Sequence, residues 1–548
     1  MMLPLFSFTN AGRLLWVAVK RILRHRWDSV VIGFVPQQHR RPSCPKTDNR
    51  SFRDQVAIIR ATMPYDHLSD FLSELEADGE LLRVSAEIDA DLELAAVIDR
   101  VCKSSESSPA VLFENVRGHT TPIVANVLGS ERRICKALNA ESLEEVADRI
   151  ATAMKPEIPT GWLDAFRLVP GLVELTKVPP KTVDSAICQQ VVKMGTDVDL
   201  NELPIPRCWP QETTPTILCG QVFTRYPRAE IQTVGLPTIQ VRGRDLLAIP
   251  WTVHDEEMAI FEEYRDGNQQ MPIAIALGGD PVLTYCASAP LPAKTDACLL
   301  AGFLRNKNVE LVRCRSVDLN VPAHAEFVIE GLIDTQAEFE SVGLTAAATG
   351  FYRLAETAPI VRVTAVTHRS NPLMPAMILG KPPMEDFWLQ RASERIFAPF
   401  VKLFIPEIVD FHMPRAGVFR NLLFVSIQKR YPQQARKVMH AIWGLGRLSH
   451  SKLIVVVDSN VDVHDEEQVW FHVGANMHPG RDVIFSEGPT HMFDHAAPIR
   501  GMGHKMGLDA TRKLSDEGHP RDWPDSLVVS DEIQQLVDRR WNDYGLDA

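Results

Sequence analysis

The sequence predicts a multidomain α/β protein, and three observations lead to this fold class. The chain has 548 residues, whereas a single hydrophobic core stops growing near roughly 250–300 residues. Helical and strand patterns alternate in its first and last thirds after residue 63. Short strand-like runs broken by proline and glycine fill the middle, as is typical of a β-barrel or sandwich.

The composition excludes several classes of protein. Hydrophobic residues make up 45% and charged residues 23%, which are ordinary globular values, so a disordered, collagen-like or multi-span membrane protein is excluded. The net charge is −12, and binding to nucleic acid needs a basic face. We therefore expect no nucleic-acid partner and a small-molecule substrate.

Residues 1–62 differ from the rest of the chain. They hold eleven Lys/Arg and three acids, which gives a net charge near +8. Residues 11–26 place apolar side chains among basic ones, as in a membrane-surface or targeting helix. The alternative is that translation starts at Met63. The apolar runs are too short and too charged to span a bilayer, so we expect a cytoplasmic protein, membrane-peripheral if this helix forms.

Residues 63–180 predict a small mixed α/β domain. Leu68, Phe71, Leu72 and Leu75 recur at helical spacing, with Asp66 as the expected N-cap and Gly79 in the left-handed position after the helix. Strands are predicted at residues 81–84, 110–114 and 122–127, and a second helix at residues 143–154.

Residues 181–358 and 359–548 predict two further domains. In the β-rich middle, residues 238–241 and 246–251 predict strands joined by a turn at residues 242–245. After residue 359, helices predicted at 385–404 and 433–443 alternate with buried strands at 422–427 and 453–458, which indicates a parallel sheet. None of the nine cysteines forms a CxxC pair, so free thiols in a reducing compartment are expected.

Two short motifs carry possible chemistry. His491 and His495 flank Asp494, an arrangement compatible with a metal pair but more often structural. Lys505 lies among glycines 501, 503 and 507, whose backbone N–H groups could meet a phosphate together with the lysine. Their spacing does not fit the GxGxxG dinucleotide fingerprint.

Nearly all of residues 63–548 resembles the UbiD family of carboxy-lyases. The resemblance is carried by 64-PYDHLSDFLSELEADGELLRV-84, 110-AVLFENVRG-118, 196-TDVDLNELPIPRCWP-210, 321-VPAHAEFVIEG-331, 405-IPEIVDFHMP-414, 438-VMHAIWG-444, 453-LIVVVDSNVDVHD-465 and 506-MGLDATRKL-514. The C-terminal stretches look most like the branch associated with menaquinone biosynthesis.

The resemblance implies an architecture and a chemistry. The architecture is a small N-terminal α/β domain, a central split β-barrel related to flavin reductases, and a C-terminal α/β domain that drives oligomerisation. The implied cofactor is prenylated FMN, held with Mn²⁺ and K⁺. The implied reaction is non-oxidative decarboxylation of an aromatic or α,β-unsaturated carboxylic acid, in quinone biosynthesis.

Several positions that the resemblance makes functional are substituted. The strand that supplies a metal ligand and an arginine in the family reads 233-TVGLPT-238, with Thr233 and Thr238 at those two positions. Ala297 takes the place of a metal-binding Glu and leaves Asp296 beside it. The loop that carries two catalytic acids reads 340-ESVGLTAAATG-350, where Glu340 matches the first acid only with gaps.

His254 and Lys505 remain, as the metal-binding His and the phosphate-side Lys. One imidazole without oxygen ligands is a poor site for a hard divalent cation, so we expect weak metal binding and doubtful retention of the cofactor.

Two hypotheses follow from these substitutions. The first is an active decarboxylase of a small aromatic acid that uses Glu340, Asp296 or His254 for proton transfer. The second is a catalytically silent paralogue that binds a partner subunit or a small ligand. The expected assembly is a homo-oligomer, from dimer to hexamer, or a mixed oligomer with an intact homologue.

Overall fold

The computed structural model describes residues 65–104, 108–154, 178–229, 231–354, 356–418 and 420–546. The predictions for the basic segment 1–62 lie outside the described residues, as does Cys44. No described helix is long and apolar enough to cross a membrane.

The elements follow the predicted alternation. The helices of the N-terminal part are α1 (Leu68–Ala77), α2 (Glu93–Ser104), α3 (Glu131–Ala137) and α4 (Leu143–Met154). Its strands are β1 (Leu81–Ile88), β2 (Ala110–Val116) and β3 (Ile123–Ala125).

The central part is rich in strands. They are β4 (Lys181–Val183), β5 (Val191–Met194), β6 (Thr216–Ile217), β7 (Gln221–Arg225), β8 (Gln232–Gly235), β9 (Ile239–Val241), β10 (Leu246–Ala248), β11 (Met271–Leu277), β12 (Glu310–Arg313), β13 (Asn320–Pro322), β14 (Phe327–Ile333), β15 (Glu340–Val342), β16 (Thr345–Ala346), β17 (Tyr352–Arg353), β18 (Glu356–Ala358), β19 (Ile360–His368) and β20 (Met374–Ala376). Its helices are α5 (Glu256–Asp266), α6 (Pro281–Ser288) and α7 (Ala297–Arg305).

The C-terminal part returns to alternation. Its helices are α8 (Glu385–Ile396), α9 (Ala398–Phe404), α10 (Gln434–Trp443), α11 (Glu466–Asn476), α12 (Pro479–Asp482) and α13 (Asp531–Arg540). Its strands are β21 (Ile408–His412), β22 (Leu422–Ile427), β23 (Leu453–Asp458), β24 (Val483–Pro489) and β25 (Met502–Asp509).

The first helix begins differently from the prediction. His67 is the N-cap residue and makes no side-chain cap, so the expected cap by Asp66 is wrong. The Asp66 carboxylate instead accepts hydrogen bonds from Lys307 Nζ at 2.7 and 2.8 Å and from Arg305 at 2.9 Å. Two charged donors outcompete a backbone N–H because charge-assisted hydrogen bonds are stronger. Gly79 has φ +73°, as predicted.

The N-terminal sheet takes a strand from far along the chain. Its order is β1-β2-β3-β20, with β1 parallel to β2 and β20 parallel to β3. Because β20 follows the central strands in sequence, it ties the N-terminal sheet to the segment that leads into α8.

The central sheet has nine strands. Its order is β6-β9-β10-β19-β14-β11-β7-β8, and β5 also pairs with β19. The predicted hairpin is confirmed, since β9 and β10 pair antiparallel on either side of residues 242–245. The backbone of β8 and of the segment after it reaches the cavity described below.

The C-terminal sheet has the order β21-β22-β23-β25-β24. Strands β22, β23 and β25 are parallel, as predicted, and the two edge strands are antiparallel. The single helix predicted at 385–404 is wrong: it divides at Phe397, because Pro399 in the first turn of α9 has no N–H to continue the earlier helix. Gly503 and Gly507 lie within β25, not in a phosphate-binding loop.

All eight described cysteines are free and buried. Burial raises the pKa of the Cys188 thiol to about 12, and the same cause raises the pKa of the others. They are inert structural thiols, so none is a candidate nucleophile. The reducing compartment stays a prediction.

Arg133 in α3 is a buried arginine whose hydrogen bonds stabilise the N-terminal part of the chain. The Arg133 guanidinium is fully buried and donates to Glu80 at 2.8 Å, to the Val127 carbonyl at 3.1 Å and to the Asn126 carbonyl at 3.2 Å. Arg133→Ala removes all three of these hydrogen bonds and breaks a buried ion pair, so we expect the free energy of unfolding in urea to fall by about 3–5 kcal/mol.

The matched control is Arg132→Ala. Arg132 pairs with the same Glu80 at 3.1 Å, but its side chain is 65% exposed. We expect a loss below about 1 kcal/mol. Equal losses for the two variants would contradict the role given to burial.

Candidate active site

A cavity of about 340 Å³ lies where the central strands meet α8 and loops of the C-terminal part. This volume falls within the range of small-molecule sites. One part of its wall is apolar and includes Leu218, Leu236, Met377, Leu379 and Leu389. The remaining wall carries most of the titratable side chains described below.

The segment after β8 forms one side of the cavity. Val234, Gly235 and Thr238 line it. A Cβ at Gly235 would lie 2.0 Å from a carboxylate oxygen of Glu257, so any larger residue here would displace that carboxylate. Thr233 is buried in β8 and does not line the cavity, since its Oγ1 is hydrogen-bonded to Thr224 Oγ1 at 2.9 Å across the pair β7–β8.

Arg353 in β17 supplies a guanidinium to the same wall. Its Nη1 lies 3.5 Å from Thr238 Oγ1, and its Nη2 donates to the Pro250 carbonyl at 3.2 Å. Glu356 accepts from Nε at 3.3 Å and from Nη2 at 3.1 Å. The guanidinium therefore reaches Thr238, the position where the resemblance leads one to expect an arginine.

The Arg353–Glu356 pair is buried and shared. The side chains are 6% and 8% exposed, and Arg500 also pairs with Glu356. The ring of Phe493 lies 4.7 Å from the Arg353 guanidinium carbon, within cation–π range. One carboxylate thus serves two arginines, which leaves this part of the wall with net positive charge.

Three histidines lie next to these arginines in the cavity wall. The rings of His254 and His450 lie 4.9 Å apart, and those of His450 and His491 lie 6.0 Å apart. Burial, then His254 and then Arg420 lower the pKa of His450 to about 4. Burial, followed first by Arg420, lowers the pKa of His491 to about 3. Both imidazoles are neutral at pH 7.

Two arginines and a lysine complete this end of the cavity, which we call the cationic end: Arg420, Arg447, Lys505, His254, His450 and His491. Arg420, Arg447 and the three histidines line the cavity directly. Lys505 is buried behind them, donates to the Ser449 carbonyl at 2.6 Å and contributes to the low pKa of His450. Burial also lowers the pKa of Lys505 itself.

Two acids in the cavity wall have raised pKa values. Burial raises the pKa of Glu257 to about 7 and that of Asp386 to about 7. Asp386 lies in the first turn of α8, and its buried Oδ1 has no hydrogen-bond partner in the part of the chain that the structure describes. Strong pKa shifts in a cavity mark candidates for proton transfer.

The structure separates the residues selected from the sequence. His254 and Thr238 line the cavity, Lys505 lies behind it, and Thr233 and the buried Ala297 are not among its lining residues. Asp296 caps α7 by accepting from the Cys298 N–H at 2.8 Å. Glu340 is in β15, 58% exposed and 3.7 Å from Arg242, also outside the lining residues. This placement does not favour Glu340 as the acid, and its catalytic role stays a prediction.

Sequence reasoning missed Arg353, Glu356 and Asp386. The signal for the first two was an Arg–Glu pair three residues apart directly after the alanines of 346–348. His491 was selected as half of a metal pair with His495. In the structure His491 lines the cavity, while His495 stacks on Phe351 and Asp494 binds Lys452 at 2.9 Å.

The donors of the cavity do not fit a divalent metal. Within the part of the chain that the structure describes, one group of three His, Cys, Asp or Glu side chains has ligand atoms within 4.8 Å of one another, namely Glu394, His412 and His464. None of the three lines the cavity. Arg391 pairs with Glu394 and lies 2.8 Å from His412 Nδ1, so a guanidinium already fills that cluster.

The chain matches three successive domains of one enzyme family. These are the N-terminal domain of 3-octaprenyl-4-hydroxybenzoate carboxy-lyase at residues 72–150, its Rift-related domain at 181–382 and its C-terminal domain at 387–510. Fold and site therefore define a carboxy-lyase architecture. The chain belongs to the UbiD family. The menaquinone branch stays a prediction.

Relatives and solved structures agree with this assignment. Uncharacterized proteins of Aquifex aeolicus and Archaeoglobus fulgidus are 41% and 39% identical over 88% of this chain and 99% of their own length. Vanillic acid decarboxylase of Sedimentibacter hydroxybenzoicus, in closed form, is similar with a TM-score of 0.76 and 27% identity, over 88% of this chain and 99% of that chain.

A structure with a bound flavin is also similar. The UbiD-class enzyme HmfF of Pelotomaculum thermopropionicum, in complex with FMN, has a TM-score of 0.70 and 27% identity, over 86% of this chain and 99% of that chain. The predicted mixed α/β fold with three-part architecture is thus confirmed, and flavin is a cofactor of the family.

We expect Glu356→Gln to destabilise the protein. The substitution leaves two arginines at a buried site without their carboxylate, which costs about 3 kcal/mol or more in the free energy of unfolding. Phosphate buffer should recover part of this loss relative to chloride at equal ionic strength, because an anion replaces the missing charge. The measurement is urea unfolding in both buffers.

Glu340→Gln is the control, since its carboxylate is exposed. Its free energy of unfolding should match that of the parent chain in both buffers. A loss for Glu356→Gln that is the same in chloride and phosphate would contradict the electrostatic cause.

Proposed function

We propose that this protein catalyses non-oxidative decarboxylation of an aromatic or α,β-unsaturated carboxylic acid with prenylated FMN. The observation that carries the proposal is the buried Arg353–Glu356 pair, which brings a guanidinium to Thr238 in the cavity wall. The family arginine is absent at position 238, but Arg353 in β17 brings a guanidinium charge and its N–H donors to the same place. A catalytically silent paralogue would not need a buried ion pair at this point.

The cavity suits a flavin. Its cationic end complements a phosphate, and its apolar wall complements an aromatic ring system. When bound, prenylated FMN supplies an electron sink for the pair left behind as CO₂ departs. HmfF, a relative in fold, has been solved with FMN and, in an evolved dimeric form, with prFMN.

Arg353 binds and orients the substrate carboxylate. Glu356 accepts from Nε and Nη2, whereas the one hydrogen bond of Nη1 to a described residue is the 3.5 Å contact with Thr238, so Nη1 keeps a donor for a ligand. A guanidinium fixed on one edge by a carboxylate presents its other donors with little loss of conformational entropy. The apolar wall excludes water from the carboxylate and strengthens this interaction.

Asp386 donates the proton that replaces CO₂. A carboxylic acid with a pKa of about 7 is substantially protonated at neutral pH, which suits a general acid. Among the described residues its Oδ1 has no hydrogen-bond partner, so it is available to a ligand in the cavity. Glu257, with a similar pKa, is the competing candidate.

The cytoplasmic location, the place in quinone biosynthesis and the homo-oligomer belong to the same proposal and rest on family resemblance. The K⁺ of that resemblance also rests on the resemblance alone, and Mn²⁺ is not included, because the donors in the cavity do not fit a divalent metal. The silent-paralogue alternative is favoured by Thr233 and Ala297, where metal ligands are lost. It predicts no decarboxylation with any acid.

The test is CO₂ release by protein co-expressed with a prenyl-FMN synthase and screened against aromatic and α,β-unsaturated acids. With an accepted acid, Arg353→Met should lower kcat/KM by about 10²-fold or more, because carboxylate orientation is lost. Glu340→Gln should retain the parent rate, since its side chain lies outside the cavity. Activity lost in Glu340→Gln and kept in Arg353→Met would contradict these roles.

The pH dependence of kcat/KM should show a basic limb near pH 7. Below that pH Asp386 holds its proton, and as pH rises through about 7 the proton is lost and the rate falls. Asp386→Asn should lower the rate by about 10²–10⁴-fold. Glu257→Gln should keep the limb. A limb that disappears in Glu257→Gln would assign the proton to Glu257 instead.

A further inference from the structure

We propose that this protein holds the phosphate of its flavin with guanidinium, ammonium and imidazole groups of the cationic end, without a divalent metal. The inference rests on the proposed flavin-dependent function. It goes beyond that function by assigning the anion site to this chain's own cations, in place of the metal that the resemblance implies.

The positions from which metal ligands would come are closed to that role. The Thr233 hydroxyl is buried and hydrogen-bonded to Thr224 Oγ1 at 2.9 Å, and Thr233 is not among the residues that line the cavity. Ala297 has no ligand atom, and the Asp296 carboxylate beside it is engaged as a helix cap. Of these positions, His254 alone brings a ligand atom to the cavity wall.

The nearby acids are also engaged. Asp255 accepts from the Thr252 N–H at 2.6 Å, and Glu256 accepts from the Tyr226 hydroxyl at 2.7 Å and the Lys294 N–H at 2.6 Å. The Glu257 carboxylate packs on the backbone of Gly235, and burial favours its neutral form. A hard divalent cation needs several charged oxygen ligands together, which these residues do not offer.

The charges around His254 oppose a metal and favour an anion. Arg420 and Arg447 line the cavity together with His254, and Lys505 lies behind this wall. A divalent cation bound at His254 would be repelled by these three cationic side chains. A phosphate carries about two negative charges, and arginine binds phosphate oxygens through paired N–H donors.

The backbone conformation at Arg420 also supports a preformed anion site. Arg420 has φ +76°, in the left-handed region that a residue with a Cβ rarely adopts, yet this conformation places its side chain at the cavity. Burial and Arg447 lower the pKa of Arg420 to about 9, so an anion would relieve an unfavourable pair of like charges. Arg420 therefore combines a strained backbone conformation with repulsion from Arg447, and a bound phosphate would offset both costs.

The experiment compares FMN with riboflavin, which lacks the phosphate, as probes of the flavin-free full-length protein. Binding is followed by quenching of flavin fluorescence, after dialysis against EDTA and again with added Mn²⁺. We expect the Kd of FMN to change less than about twofold between these conditions, and FMN to bind at least tenfold more tightly than riboflavin. Metal analysis of the FMN complex should find no stoichiometric Mn²⁺.

Variants locate the phosphate contact. Arg447→Met should weaken FMN about tenfold and leave riboflavin unchanged. This arginine is exposed, so the variant is expected to fold. Arg430→Met is the matched control, because Arg430 is an exposed arginine that does not line the cavity. It should bind both flavins like the parent chain.

The remaining outcomes overturn the proposal in distinguishable ways. FMN binding that appears or tightens tenfold only with Mn²⁺ overturns the metal-free site but leaves the flavin-dependent function standing. Equal binding of FMN and riboflavin overturns the phosphate contact alone. No binding of either flavin, with or without metal, overturns the proposed function and this inference with it.

Discussion

The concentration of positive charge at one end of a buried cavity is the constraint on which the rest of this site depends. Arg353, Arg420, Arg447, Arg500 and Lys505 lie in or around one wall, and desolvation of so many cations is costly unless anions accompany them. The Glu356 carboxylate forms ion pairs with two of the arginines, Arg353 and Arg500. Burial and the neighbouring cations lower the pKa of His450 and His491, which therefore stay neutral. The cationic side chains that line the cavity complement an anionic ligand.

This wall is assembled from distant parts of the chain, which explains why the architecture is needed to make it. Arg353 comes from a short strand of the central part, Arg420 from the loop before β22, and His491 from the loop after β24. Asp386 is placed by α8, whose first turn follows the strand that completes the N-terminal sheet. The central and C-terminal parts of the chain therefore both contribute residues to the cavity wall, and neither part encloses the cavity alone.

The sequence was sufficient for most elements because their signals are local. The apolar spacing of α1, the buried runs of β22 and β23, and the turn between β9 and β10 each depend on a few neighbouring residues, and all are confirmed. The failures were not local. Asp66 does not cap α1 but pairs with Lys307 and Arg305, which lie about 240 residues away in sequence. A local stretch of sequence cannot show such a pair. Only the division at Pro399 had a readable local cause.

The candidate site shows the same division between local and distant information. Aligned motifs located His254, Thr238 and Lys505, and they also showed which family residues are missing. They could not show that Arg353, 115 residues further along the chain, contacts Thr238. The residue at the substituted position carries no information about which other strand supplies the arginine. Substitutions that look like loss of function in the sequence are also compatible with a folded protein in which a different residue places the same charge at the same point. The distinction depends on where the guanidinium lies, and here it lies in the cavity wall with a buried carboxylate beside it.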